Sequence, residues 1–180
     1  MKVIGVLCSA RPGSGSGAVV KEYLKGAAEA GHETQLVELT NGNFNGCTGC
    51  HACKKPGITT CIQKDAMTEY LVALPEADVV IFGAGNYMGW PQGQAWNFLH
   101  RHFCVSEGMG ASSKPRIPVG KKLIPVFSQG VPVADMYKER YNMFLEHFKD
   151  WGFDIQDMLI SCGPKAEEVK QTACEMGKNL

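Results

Sequence analysis

Val3-Ile4-Gly5-Val6-Leu7-Cys8-Ser9-Ala10-Arg11-Pro12-Gly13-Ser14-Gly15-Ser16-Gly17 decides the fold. Its first half is a continuous apolar run without polar alternation, the pattern of a strand buried on both faces. Its second half is a Gly/Ser loop, and Ala18 to Ala30 beyond it places Val20, Tyr23, Leu24 and Ala27 on one helical face, with Gly31 as the stop. A buried strand, a glycine loop and a helix in succession open a βαβ unit.

The rhythm continues outward. Val79 to Phe82 and Leu123 to Phe127 are two more unalternating runs, Thr34 to Leu39 is a weaker edge-like strand, and Phe153 to Ser161 is a fifth. Residues 65–75 and 91–103 read as helices, the second with Pro91 near its first turn. Asp135 to Trp151 carries Tyr137, Tyr141, Phe144, Phe148 and Trp151 at helical steps, and a last helix begins at Pro164. Right-handed crossovers then predict an α/β fold: a five-stranded parallel sheet of order 2-1-3-4-5 covered by helices on both sides. Ligands bind such sheets at the carboxyl edge of the strands, where the unusual segments fall.

At 180 residues the chain is read as one domain, residues 1–180, with a cysteine-rich loop at 44–64. Eighteen basic and eighteen acidic residues leave no net field to attract nucleic acid or an anionic membrane. No apolar run approaches the ~20 residues that span a bilayer, and Lys2 leads directly into a strand without a cleavable segment. Four of eight cysteines crowd into residues 47–61, which suits a metal or redox site in a reducing compartment better than a disulfide framework. The expected location is the cytoplasm.

Four segments carry chemistry. In the first loop, glycines turn backbone amides inward, serine hydroxyls donate, Arg11 adds charge and the helix N-terminus adds its positive end, as a phosphate site requires. A serine-capped Gly/Ser turn uses the same residues. The second, Gly83-Ala84-Gly85-Asn86-Tyr87-Met88-Gly89-Trp90-Pro91, combines close backbone approach with surfaces suited to a ring system. The third is the polar turn Ser128-Gln129-Gly130. The fourth, Cys47-x2-Cys50-x2-Cys53-x7-Cys61, supplies four thiols at spacings that let one loop wrap a cubane cluster. Tetrahedral zinc, a thiol–disulfide pair and inert thiols remain open alternatives. Lys114, Arg116, Lys121 and Lys122 read as the solvated face of a loop, or as a seat for a nicotinamide phosphate or an acidic electron donor.

The first loop resembles the Gly-Ser-Pro-Arg-x-x-Gly-x-Thr loop of the NADPH-dependent FMN reductase group of the flavodoxin-like superfamily, with Ala10 in place of the proline and Ser14 of a glycine. The segment Gly83 to Pro91 resembles its Pro-x-Tyr segment, with Asn86 where proline is usual, and Ala95 to Arg101 its Lys-x-Phe-x-Asp-Arg helix with Trp96 for lysine and His100 for aspartate. The cysteine spacing, followed by Asp65-Ala66-Met67, resembles that of iron–sulfur flavoproteins. The resemblance implies a flavodoxin-like three-layer sandwich binding FMN. Ser9, Arg11, Ser14, Gly15, Ser16 and Gly17 would hold the phosphate; Ala84, Gly85, Asn86, Tyr87, Met88, Gly89 and Trp90 would serve the ring; and Ser128, Gln129 and Gly130 would lie along the ring or ribityl chain. Cys47, Cys50, Cys53 and Cys61 would ligate a 4Fe-4S cluster. It further implies a homodimer or homotetramer, an FMN-dependent oxidoreductase that is NAD(P)H- or ferredoxin-linked, and small-molecule or protein electron donors and acceptors. The alternatives are an NAD(P)H-dependent FMN or quinone reductase without a cluster, a non-enzymatic flavodoxin-like electron carrier, and a thiol redox sensor.

Overall fold

A computed structural model describes every residue except Pro12 and Asn41, and the backbone alone of Ala111. The Pro12 corner of the first loop therefore lies outside the described residues. Strands β1 (Lys2–Cys8), β2 (Glu33–Leu39), β3 (Val79–Tyr87) and β4 (Lys121–Gln129) pair in parallel in the order β2-β1-β3-β4. The fifth position is shared by two short strands. β5 (Phe153–Ile155) pairs with Lys121–Leu123, and β6 (Leu159–Cys162) pairs with Val126–Gln129. The fifth strand expected over Phe153 to Ser161 is thus interrupted at 156–158, where the Gln156 amide donates to Leu123 O at 2.9 Å and its side chain turns back to Asp154 Oδ2 at 2.8 Å.

Helices α1 (Gly15–Glu29) and α5 (Ala166–Lys178) cover one face; α2 (Met67–Ala73), α3 (Gly93–Arg101) and α4 (Lys138–Lys149) cover the other. Val3, Val79, Ile81, Ile124 and Val126 pack with α1 and α5, whereas Ile4, Val6, Val80, Phe82 and Phe127 enter the opposite core. Both sides of β1, β3 and β4 are buried, which is why these three strands read as unbroken apolar runs, whereas the edge strand β2 is largely half-buried. α1 lies directly on α5: a Cβ on Gly26 would stand 2.0 Å from Cys174 O, and one on Gly177 would stand 2.2 Å from Tyr23 O.

The opposite core is aromatic. Phe82 stacks on Phe98 at 5.0 Å and Phe127 on Tyr141 at 4.0 Å. His102 is fully buried there and pushed down to about 4 by burial, so it stands neutral between Tyr70 Oη and Phe98 O, each at 2.8 Å.

Pro91 does not begin a helix. Trp90–Pro91 folds back as a short antiparallel strand on Asn86–Tyr87, and α3 starts at Gly93. The two turn residues, Met88 at φ 53° and Gly89 at φ 85°, are both left-handed, as a two-residue type I′ hairpin demands. Among the described residues, no helix is long and apolar enough to cross a membrane.

Candidate functional site

The carboxyl ends of β1, β3, β4 and β6 surround a cleft of about 470 Å³. Ser9, Arg11, Ser14 and Gly15 form one wall, Gly85, Asn86 and Tyr87 another, and Ser128, Gln129 and Gly130 a third. Three segments far apart in sequence meet here. Gln92, Ser161, Gly163 and Ala166 complete the lining. Ser16, Gly17 and Ala84 are buried and are not part of it. Met88, Gly89 and Trp90 also lie outside it: Met88 is 96% exposed at the hairpin tip, and Trp90 packs near Arg140, 5.4 Å from ring to guanidinium, and Trp96.

Ser14 caps α1, its Oγ accepting from Gly17 N at 3.1 Å, and no acidic side chain lies in the first turn to neutralise the helix's positive end. Helix geometry leaves the Gly15 and Ser16 amides without intrahelical acceptors. Gly15 favours close approach: a Cβ would stand a tight 3.2 Å from Ser128 Cβ across the cleft floor. Ser9 Oγ donates to Arg11 O at 2.8 Å and accepts from Arg11 N at 3.2 Å, fixing the loop's turn. A polar concavity at a helix start, floored by glycine and rimmed by hydroxyls, has the donors that a phosphate ester would need.

Two internal braces hold the cleft. Gln92 is buried; its Nε2 donates to Cys8 O, its Oε1 accepts from Ala10 N at 3.3 Å, and its amide donates to Gly85 O at 3.0 Å. It locks the first loop to the hairpin. Asn86 Nδ2 donates to Tyr141 Oη at 2.7 Å, and that hydroxyl donates to Gln129 Oε1 at 2.8 Å. Asn86 Oδ1 also accepts from Gly89 N at 3.1 Å, so an asparagine here ties the hairpin turn to the β4 loop. Burial lifts the Tyr141 phenol to about 12.

The cysteine loop lies beyond the β2 end of the same edge. Cys47, Cys50, Cys53 and Cys61 all line one small pocket together with Arg101, Phe103 and Cys104. Gly49 at φ 67° and His51 at φ 54° curl the chain between the first three thiols. Gly49 N donates to Cys47 Sγ at 3.4 Å and Gln63 Nε2 to Cys61 Sγ at 3.9 Å. The Ala52 amide and then the Thr48 hydroxyl hold Cys50 below the usual thiol range, whereas burial raises Cys53 and pushes Cys104 up to about 11. The thiols ring the pocket: among the described residues, no three His, Cys, Asp or Glu groups stand close enough to hold a single metal ion. His51 packs edge-on against Phe103 at 5.7 Å.

Cations anchor this loop. Arg101, fully buried, clamps Asp65 through Nη1 at 2.6 Å and Nη2 at 3.2 Å, and Nη1 reaches Asn45 O at 2.9 Å. Burial opposes ionisation of Asp65, but Arg101 and the Asn45 and Met67 amides outweigh it and hold the carboxyl below its usual range. Lys54 Nζ donates to Phe103 O at 2.7 Å and Ser106 O at 2.5 Å. Arg116 Nη1 donates to Cys53 O at 2.8 Å and Ile58 O at 2.9 Å. The expectation of a solvated basic face therefore fails for two of its four members. Arg116 is a clamp on the cysteine loop, and Lys121 is buried, donating to Pro75 O at 2.8 Å and Ala77 O at 2.5 Å. Buried carbonyls at the ends of elements need donors, and these two cations supply them.

Sequence reasoning missed Gln92, Ser161, Tyr141 and the Arg101–Asp65 pair. Ser161 had a signal, since it ends the fifth strand at the ligand-binding edge; Gln92 and Tyr141 act through contacts 84 and 55 residues away, which no local pattern carries.

The sequence profile of the NADPH-dependent FMN reductase family matches residues 1–130. An iron–sulfur flavoprotein of Methanocaldococcus jannaschii is 38% identical over 147 residues, covering 82% of this chain and 73% of that protein. The fold is similar to that of an NAD(P)H:quinone oxidoreductase from Methanothermobacter marburgensis, with a TM-score of 0.76 and 16% identity over 99% of this chain and 98% of that one. An archaeal flavodoxin aligns with a TM-score of 0.61 and 14% identity, covering 99% of this chain and 95% of that one. With a doubly covered parallel sheet, a cleft at its carboxyl edge and the family profile running through β1, β3 and β4, three of the four strands that build that cleft, the chain belongs to the NADPH-dependent FMN reductase family of flavodoxin-like oxidoreductases.

Proposed function

We propose that this chain is an FMN-dependent electron-transfer oxidoreductase that carries a 4Fe-4S cluster on Cys47, Cys50, Cys53 and Cys61. The observation that supports it best is the convergence of those four thiols on one pocket, with N–H groups directed at the sulfurs of Cys47 and Cys61. Four thiols from one loop on one pocket suit a group whose irons each take a single thiolate. When bound, FMN exchanges electrons in pairs or singly and the cluster exchanges them singly, so the two together convert one kind of transfer into the other.

The chain's own residues supply placement. The Gly15 amide, with Ser9, Arg11 and Ser14, would hold the phosphate, and Ser128, Gln129 and Gly130 would flank the ribityl chain and ring. Tyr87, half exposed on the cleft wall, would shield the ring edge. The electron donor would be NAD(P)H or a ferredoxin-type protein, and the working unit a homodimer or homotetramer.

Anaerobic purification followed by visible spectroscopy and iron and sulfide analysis tests this reading. Flavin bands over a broad shoulder that dithionite bleaches, with iron and sulfide in equal amounts, are expected. Flavin without iron removes the cluster from the proposal, and a protein that takes up no flavin removes the whole of it.

A further inference from the structure

We infer that Arg101 donates an Nε–H hydrogen bond to sulfur at the Cys61 corner of the cysteine pocket, and so raises the reduction potential of the cluster bound there. The inference rests on the cluster proposed above. Arg101 lies on the last turn of α3, 1% exposed, and lines the same pocket as the four thiols. Its two terminal nitrogens are engaged: Nη1 with Asp65 Oδ2 and Asn45 O, and Nη2 with Asp65 Oδ1. Its Nε is the one buried side-chain nitrogen or oxygen among the described residues without a hydrogen-bond partner. Buried N–H groups are rarely left so, because desolvation without a partner is costly.

The Cys61 thiol stands beside the guanidinium. The clamp on Asp65 fixes the plane of the fork, so Nε cannot swing toward another acceptor. A sulfur carrying negative charge at that corner would be the acceptor for Nε–H. Asp65 already balances the cation, so the distinguishing element is the directed N–H dipole more than the net charge. Hydrogen bonds to cluster sulfurs are among the protein's levers on potential, since they favour the more negative, reduced state. The hydrogen bond itself moves no electron; it would only favour the reduced state of the cluster.

Lysine at this position keeps the positive charge and the partner for Asp65 but has no Nε–H held in a plane. For the anaerobically purified holoprotein, we expect Arg101→Lys to retain iron and flavin. In an EPR-monitored titration, the ratio of reduced to oxidised cluster at fixed poise should fall at least tenfold, 59 mV for a one-electron couple. An unchanged ratio at full iron content overturns the inference while leaving the cluster standing. Should the variant lose its iron or fail to fold, the wild-type protein decides. With ¹⁵N-arginine incorporated, pulsed EPR of the reduced cluster should show a guanidinium nitrogen coupling that persists in Arg116→Lys, the other arginine reaching this loop. Absence of that coupling overturns the inference. A wild-type protein with flavin and no iron overturns both the cluster and the role of Arg101.

Discussion

The two halves of the candidate site are built by different means. The cleft is delivered by the sheet: β1, β3, β4 and β6 end at one edge because they are in parallel register, and Ser9, Gly85, Ser128 and Ser161 lie at or beside those ends. The cysteine pocket belongs to a long loop whose only regular piece among the described residues from 44 to 64 is the three-residue turn Ala52–Lys54. There, Arg101, Arg116 and Lys54 substitute for a ladder by donating to backbone carbonyls. A ladder spreads its stability over many similar bonds, whereas the loop concentrates it in a few charged side chains. Single substitutions should therefore separate the two.

Asp65→Ala breaks the comparison furthest. It leaves the buried Arg101 cation without a counter-charge and removes the acceptor of the Asn45 and Met67 amides. Removing one partner of a buried pair costs about 3–5 kcal/mol. Urea unfolding should show that loss, and iron should fall away at denaturant concentrations where flavin fluorescence is still quenched. The pH dependence has a definite sign. Because the folded pKa of Asp65 lies below the unfolded value of about 3.9, its contribution is full above that value and disappears as pH falls through the folded one. In Asp65→Ala this part of the acid limb should flatten. Equal loss of flavin and iron would mean that the loop and the cleft fail as one unit.

Tyr141→Phe probes the other half. The ring stays stacked on Phe127, but Asn86 Nδ2 and Gln129 Oε1 lose the hydroxyl they share. Leaving such groups unpaired costs about 1–3 kcal/mol. Flavin titration should show weakened binding, because both orphaned residues line the cleft, while iron content holds. Iron lost together with flavin would refute the separation from the opposite side.

Local chemistry was legible in the sequence. A Gly/Ser loop after a buried strand and four cysteines in fifteen residues declare themselves within a single window, and the unalternating strands declared a sheet covered on both faces. What stayed hidden depends on partners distant in the chain. Nothing near Arg101 announces Asp65, 36 residues earlier, and nothing near Lys121 announces that its ammonium would be buried against the carbonyls of Pro75 and Ala77. The hairpin at Asn86 to Pro91 was concealed by its own residues: Met-Gly is an uncommon occupant of a turn that favours Asn-Gly, and Pro91 mimicked a helix start.

That unusual turn supplies the smallest effect, and the one with opposite sign. Met88 holds φ 53° with its side chain almost wholly in water, so the strain of a left-handed residue is offset by no packing of its own. Asparagine enters this region more readily because its short polar side chain can bond locally. Met88→Asn should therefore stabilise the protein, by roughly 0.5–1 kcal/mol, a fraction of the ~1–2 kcal/mol that separates left- from right-handed backbone. Thermal unfolding followed beside a flavin titration distinguishes two roles for the tip. If Met88 serves only the turn, stability rises and flavin affinity is unchanged, since the residue lies outside the cleft lining. If flavin affinity drops while stability rises, the tip closes over the ring on binding, and the cleft is less fixed by its sheet than the comparison with the cysteine loop holds.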